Sequence, residues 1–226
     1  MATDLNRVFD YSLNGQIPTI TARAQAKITA HIIVDKDDWG DSFSTTFISE
    51  VKEFYSRKQG HKCGYCRTRI TPDGYTEPVE HITPRKLKPN WMFVIHNLVV
   101  SCGGCNSNKG TDNVLTSNEN AYGNNDVNCP ADSANYRIFN PHFDQWSDHF
   151  EIEEGYFLKP KPNTKGPYTY SLCGMKRYHI VVDYMFQQNI RKPFSNKILI
   201  SRIRKEKDVA KKAILKQALE TILNSI

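Results

Sequence analysis

Between residues 63 and 109 the chain places Cys63-Gly64-Tyr65-Cys66, Glu80-His81-Ile82-Thr83-Pro84, Asn97-Leu98, Cys102-Gly103-Gly104-Cys105-Asn106 and Lys109. Two Cys-x-x-Cys knuckles bracket a carboxylate–histidine pair and two asparagines. Four thiolates can build a closed metal site. The residues between them can build a second, open one. A scaffold metal beside a working metal and a histidine base is the equipment of phosphodiester hydrolysis.

The cysteines are the strongest single signal. With six cysteines in 226 residues, chance supplies roughly 0.16 Cys-x-x-Cys pairs, so two point to a metal spacing. Four sulfurs suit a structural zinc, which prefers thiolate and needs no open position. The interval from Cys66 to Cys102 is long for a small finger, so a functional insert is expected inside it. Disulfides fit poorly, because the N-terminus is polar and shows no signal peptide. A thioredoxin-like redox site expects one Cys-x-x-Cys near a βαβ pattern. Cys129 and Cys173 match no partner spacing and are expected to be ordinary buried thiols. The expected setting is a reducing cytosol.

The elements that position these groups are short. Thr76 to Ile82 reads as a strand ending near Glu80 and His81. Phe93 to Ser101, rich in β-branched residues, reads as a second strand. Asn106 to about Val114 reads as a short helix. Upstream, Phe43, Phe47, Val51, Phe54 and Tyr55 fall on one face of a helix from Ser44 to Lys58, with Gly60 as its stop signal.

Over about residues 50 to 112 this order resembles the HNH (ββα-metal) endonucleases. The resemblance rests on Cys-x-x-Cys, Glu-His-x-x-Pro, Asn-Leu and Cys-x-x-Cys-Asn-x-x-Lys in register. It implies that His81 is the general base, that Asn97 orients its imidazole, and that Glu80 and Asn106 bind one divalent cation beside the scissile phosphate. Asn106 stands where many relatives carry the family's last histidine. Cys63, Cys66, Cys102 and Cys105 would hold the structural zinc. A histidine titrating near pH ~6.5 is available as a neutral base at pH 7. An oxygen from Asn97, or a backbone carbonyl, would fix which ring nitrogen accepts the proton. A hard cation on carboxylate and amide oxygens suits Mg²⁺ or Mn²⁺. One carboxylate is too few for a closed cage, so substrate phosphate is expected to complete it. Arg85, Lys86 and Lys109, with Lys88, are candidate phosphate contacts; each also fits a solvated surface charge. His96 reads as a strand histidine outside the motif.

The expected fold is α+β, a ββα-metal core with zinc knuckles flanked by helical segments. Residues 1–60 form an N-terminal extension and packing helix, 61–115 the core, and 116–226 a loop-rich and then helical region. Ala22 to Val34 reads as a helix, or a helix followed by a strand, with no assignable function. Residues 111–135 read as a long loop, Phe150 to Leu158 as a strand or hairpin, and Tyr178 to Gln188 as a helix. A mean hydropathy of −0.57 and the lack of an apolar run near ~18 residues argue against a membrane-spanning chain. The tail from Ser195 to Ile226 reads as helical, with Ile203, Ala210, Ala213, Ile214, Leu219, Ile222 and Leu223 as an apolar face. It carries eight Lys/Arg against three acids and so holds most of the chain's net +6. Concentrated charge of this kind attracts nucleic acid or lies opposite a packing stripe, and the regular apolar positions favour packing.

Asn140-Pro141, then Asp148-His149-Phe150, then a glycine turn at Gly155 resemble one HNH subgroup. Its members are the nuclease components of Septu-type and retron-associated anti-phage defence systems, and they act with an SMC/ABC-type ATPase. The resemblance implies an ATPase partner, nucleic acid as substrate (DNA favoured over RNA), and a possible association with a retron reverse transcriptase and its RNA–DNA product. His142 and His149 are expected to be structural. Two other classes fit part of the pattern: a zinc-stabilised nucleic-acid-binding module without catalysis, and a scaffold subunit that holds an ATPase.

Overall fold

A computed structural model describes residues 13, 16–33, 35–70, 78–117, 127–154, 156–187 and 192–224. Helix α1 (Ala22–Ala30) begins at Thr21, whose hydroxyl accepts from Ala24 N at 3.3 Å. Helix α2 (Thr45–Lys58) buries Phe47, Val51 and Tyr55 at the four-residue spacing of one helical face. It stops at Gly60, whose φ of +58° is open to glycine at little cost. Strand β1 (Val79–His81) pairs antiparallel with β2 (Leu98–Val100), placing Glu80 opposite Val99 and His81 opposite Leu98. Helix α3 (Gly103–Lys109) follows directly. The fold is α+β, and the strand–strand–helix order expected around the cysteines is present.

The boundaries differ from the expectation in instructive ways. β2 is shorter than Phe93–Ser101, because Ile95–Asn97 winds into a 3₁₀ turn instead of extending. Tyr55 OH donates to Ile95 O at 3.1 Å, and the buried Asn97 amide bonds to the loop, so tertiary contacts override the β-propensity of that run. α3 starts three residues before Asn106, because the Cys102 sulfur caps it by accepting from Cys105 N at 3.4 Å. It ends at Gly110 rather than near Val114. Thr76 and Glu77 of the first expected strand lie outside the described residues, as do residues 118–126 of the expected loop and Gly155.

Two three-residue strands do not make an independent sheet. α2 packs across β1 and β2. Gln59, at its end, is buried and completes the outer edge of β2: its Nε2 donates to Val100 O at 2.7 Å and its Oε1 accepts from Val100 N at 3.0 Å. The second half of the chain covers the other side with α4 (Trp146–His149), the hairpin β3 (Phe150–Glu153) and β4 (Phe157–Pro160), α5 (Gly166–Leu172), α6 (Tyr178–Gln187), α7 (Lys192–Lys205) and α8 (Val209–Asn224). Val51, Val99, Trp146, Tyr184 and Leu215 belong to one continuous buried cluster.

The basic tail is helical, as expected, and is built from two helices, α7 and α8. The break falls at Glu206–Asp208, where Asp208 accepts from Lys211 N at 3.0 Å and starts α8. Its inward face matches the expected one in part: Ile222 is buried and Ile203, Ile214 and Leu219 pack against the core. Leu199, Leu215 and Ala218 are buried beside them, whereas Ala210, Ala213 and Leu223 are exposed. The tail's apolar stripe therefore packs within this chain, α7 on α8 and α8 on α6.

Asn140 to Asp144 forms a tight turn, with Phe143 N and Asp144 N both donating to Asn140 O. Asp144 accepts from Asn140 N at 2.7 Å and pairs with Lys165 at 2.8 Å, so its buried carboxylate is compensated. His142 Nε2 lies 2.8 Å from Leu98 O, which makes it the donor, while the ring meets Tyr55 edge-on. Its Nδ1 is buried with no partner. Burial lowers the His142 pKa to about 4, against the opposing pull of the Leu98 carbonyl. The unfolded chain therefore binds the proton more readily, and stability present above pH ~6.5 is lost as pH falls toward about 4. Denaturant unfolding from pH 7 to 4 should show a loss on the order of 3 kcal/mol from this group. In His142→Gln the stability slope over that window should flatten. An unchanged slope would mean that His142 does not titrate there.

Candidate functional site

The knuckles converge. The sulfurs of Cys63, Cys66, Cys102 and Cys105 all lie within 4.8 Å of one another, and Cys66 and Cys102 are 3.8 Å apart. A tetrahedral ion with Zn–S near 2.3 Å requires sulfurs about 3.8 Å apart, so the cluster could hold zinc. The first knuckle is shaped by its backbone: Cys63 N donates to Thr68 O at 2.8 Å, and Gly64 N donates to Val100 O at 2.9 Å. Only glycine fits at 64, because a Cβ there would sit 2.4 Å from a Val99 methyl. Hydrogen bonds from Cys105, Cys63 and Cys66 hold the Cys102 thiol far below the ordinary range, which suits a negative sulfur at the start of α3. Cys129 and Cys173 stay outside the cluster, buried.

Glu80 and His81 on β1 and Asn106 on α3 line one cavity of about 270 Å³, with Lys36, Pro84, Arg85, Lys86, Gly110 and Thr111 completing its wall. Glu80 and His81 are neighbours on β1, and both line this cavity. His81 Nε2 lies 3.1 Å from Met92 O. That carbonyl makes Nε2 the donor and leaves Nδ1 as the proton acceptor. Burial pushes the His81 pKa down to about 3, with Arg85 and Lys109 adding to the effect and the Met92 carbonyl opposing it. The ring is neutral at pH 7.

Asn97 acts one step away from the ring. Its Oδ1 accepts from Thr83 N at 2.7 Å, and its Nδ2 donates to Thr83 O at 3.1 Å and to Trp91 O at 3.2 Å. It clamps the two ends of the loop that carries Met92. Of the two orienting groups considered from sequence, the backbone carbonyl makes the contact with the imidazole.

Lys109 departs from its expected part as a phosphate contact. Its ammonium is buried, 2.6 Å from Glu80 Oε1, and donates to His81 O at 2.9 Å. One turn of α3 separates it from Asn106, so the helix presents an amide to the cavity and an ammonium to the carboxylate beneath it. Burial raises the Glu80 pKa, and Lys109 works against that rise. Arg85 and Lys86 do reach the cavity wall.

Among the described residues, the four cysteines are the one group of three or more Cys, His, Asp or Glu close enough to share an ion. The Glu80 side offers one carboxylate and one amide. A hard divalent cation fits that donor chemistry with water and phosphate as its remaining ligands.

Two groups were not legible in sequence. Trp39 meets the His81 ring edge-on with centroids 4.3 Å apart, backed by Phe93 at 5.5 Å. The capped turn before it, at Lys36–Asp38, is held by Asp35, and Lys36 O accepts from Arg85 Nη1. The Asp-x-x-Asp pattern announces the turn but nothing about the histidine it covers. Arg177 approaches the cysteine cluster, with Nη2 3.2 Å from Cys105 Sγ. His96 and His149 stay outside the site: His96 Nε2 lies 3.1 Å from Cys129 O, and His149 packs on Phe139.

The chain is similar to Septu protein PtuB of Bacillus thuringiensis, with 28% identity over 145 residues, covering 64% of this chain and 46% of that protein. The aligned part is thus less than half of that relative's length. No family model and no solved structure matches the chain. No helix among the described residues is long and apolar enough to cross a membrane.

Removing one partner of a buried ion pair strands the other charge. Lys109→Met should therefore lower unfolding stability by about 3 kcal/mol, and adding Glu80→Gln should restore more than half of the loss. A single-variant loss under about 1 kcal/mol in urea titration, in the range of an exposed pair, would show that the pair does not hold α3 on β1.

Proposed function

We propose that this protein is a metal-dependent HNH endonuclease that hydrolyses nucleic-acid phosphodiester bonds, with DNA favoured over RNA. We further propose that it serves as the effector subunit of an anti-phage defence complex with an SMC/ABC-type ATPase. The observation that carries the chemistry is the meeting of Glu80, His81 and Asn106 on one cavity with Arg85 and Lys86 on its wall. The similarity to a Septu protein supports the defence setting. A pure nucleic-acid-binding module has no use for a buried carboxylate beside a neutral, oriented imidazole.

In this reading a phosphodiester enters the cavity against Arg85 and Lys86, which offer charge-assisted donors to its oxygens. His81, with Nε2 committed to Met92 O, takes the proton of the attacking water on Nδ1. The incoming phosphate is anionic, and its proximity favours the protonated imidazole against the effect of burial. Trp39 limits how far the ring turns and how much water reaches it. Glu80 and Asn106 would hold Mg²⁺ or Mn²⁺, which supplies charge neutralisation on the phosphate and on the leaving oxygen. Lys109 holds the Glu80 carboxylate in place from below. Whether a retron reverse transcriptase and its RNA–DNA product belong to the complex is settled by co-purification.

Nicking of supercoiled plasmid and cleavage of total RNA, with Mg²⁺, Mn²⁺ or EDTA and with an SMC/ABC-type ATPase partner present, tests the proposal. Wild type should cleave only with the metal. His81→Ala should lose activity by about 10²-fold or more while retaining its zinc. Equal cleavage by both proteins would reject His81 as the base. Cleavage of RNA alone would reverse the polymer preference.

A further inference from the structure

The four-cysteine cluster lies at the seam between the strand–helix core and the C-terminal half. From that half, Trp146 Nε1 donates to Tyr65 O at 3.0 Å, Gln187 Nε2 to Arg67 O at 3.2 Å, and Tyr184 OH to Cys66 O. Asp183 accepts from Arg69 N at 3.0 Å and Arg69 Nε at 2.8 Å. The first knuckle, residues 63–69, is thus held on its outer side chiefly by helix α6.

Arg177, in the turn before α6, goes further and reaches the sulfurs. Its Nη2 is 3.2 Å from Cys105 Sγ and 3.8 Å from Cys102 Sγ. The rest of its fork is also committed: Nη1 donates to Cys173 O at 2.7 Å and Nε to His179 Nε2 at 3.1 Å. Gly104 makes the approach possible, because a Cβ there would lie 2.9 Å from the guanidinium carbon. A divalent ion on four thiolates carries a net charge of −2 in a mostly buried setting, where uncompensated charge is costly. One guanidinium halves it. The planar fork also ties the second knuckle to the backbone that leads into α6.

We propose that Arg177 is a positioning residue of the four-cysteine metal centre, and that through it metal occupancy holds helix α6, and with α6 the helix α8 packed on it, against the core. Without an ion to gather the sulfurs, the guanidinium loses its anchor and the knuckle loses the shape that α6 grips. The proposal rests on the cysteines binding a metal and is independent of nuclease activity.

The test uses the full-length chain loaded with Zn²⁺. Zinc transfer to a chromogenic chelator is followed for wild type, Arg177→Gln, Arg177→Lys and Gly104→Ala. Loss of an outer hydrogen-bonding partner of metal ligands weakens binding by about 10- to 100-fold. Arg177→Gln should show a loss of that size, and Arg177→Lys, which keeps the charge without the fork, a smaller one. Gly104→Ala should behave like Arg177→Gln, because its methyl displaces only the flexible end of Arg177. Hydrogen exchange on wild type before and after chelation should show residues 178–187 and 209–224 losing protection together with 63–69. Wild-type zinc retention in both Arg177→Gln and Gly104→Ala would overturn the proposal. So would a stripped wild type that opens at 63–69 while 178–187 stays protected. If Arg177→Gln does not fold, Gly104→Ala and the stripped wild type decide the matter.

Discussion

Four sulfurs gathered within 4.8 Å of one another constrain every element that matters here. Cys63 and Cys66 fix the turn that leaves α2, and Cys102 and Cys105 fix the passage from β2 into α3. A two-stranded ribbon of three residues per strand has little stability of its own, and α3 opens with two glycines, the poorest helix formers after proline. What these elements lack in propensity is replaced by the shape of the cysteine cluster and by side chains that complete it. Gln59 occupies the free edge of β2, Cys102 caps α3, and Trp146 and Tyr184 grip the first knuckle from outside. The closed centre is thus a structural device whose product is the relative placement of β1 and α3.

That placement forms the cavity lined by Glu80, His81 and Asn106. Glu80 sits on the strand and Asn106 on the helix, so the distance between them is set by how α3 lies on β1. Lys109 supplies that bond: its ammonium reaches both the Glu80 carboxylate and the His81 carbonyl. Coulombic attraction in a buried setting is strong, but so is the cost of desolvating both charges. The pair is therefore better understood as fixing geometry than as adding stability. It keeps the carboxylate aimed while leaving the cavity side of the site to Asn106, Arg85 and Lys86.

What was legible in the sequence follows from how locally each feature is encoded. The cysteine spacing, the Glu-His pair and the helical face of Phe47, Val51 and Tyr55 are short-range patterns, and the α+β core appears where they place it. Phe93–Asn97 shows the limit: its β-branched residues read as strand, yet bonds from Tyr55 and Asn97 favour a turn. Lys109 was visible as a residue but not as a partner, since Asn-x-x-Lys on a helix says that the two share a face and not what lies beneath it. Trp39 and Arg177 were invisible for a different reason. They reach their targets across 42 and 72 residues of chain, and no periodicity in a single sequence records which distant side chain closes over a histidine or a thiolate. The apolar stripe of the tail was partly legible. Its helices formed with Ile203, Ile214, Leu219 and Ile222 inward, while Ala210, Ala213 and Leu223 face out.

The two centres divide the electrostatic work in a way that single residues do not reveal. At the closed centre negative charge is concentrated and met by one cation, Arg177, from the C-terminal half. At the Glu80 cavity the one carboxylate is met by Lys109, while Arg85 and Lys86 line the same cavity. The cysteine cluster is less enclosed than that carboxylate, because Cys102 is only partly buried and lines a surface pocket with Gly103, Gly104, His179 and Asp183. The basic tail extends positive charge over the surface of α7 and α8, whose apolar side is already used against the core. Part of that charge is used within the fold, where Arg202 pairs with Glu154 and Glu206 and Lys211 with Glu153, so the tail is tied to the β3–β4 hairpin by ion pairs as well as by apolar packing.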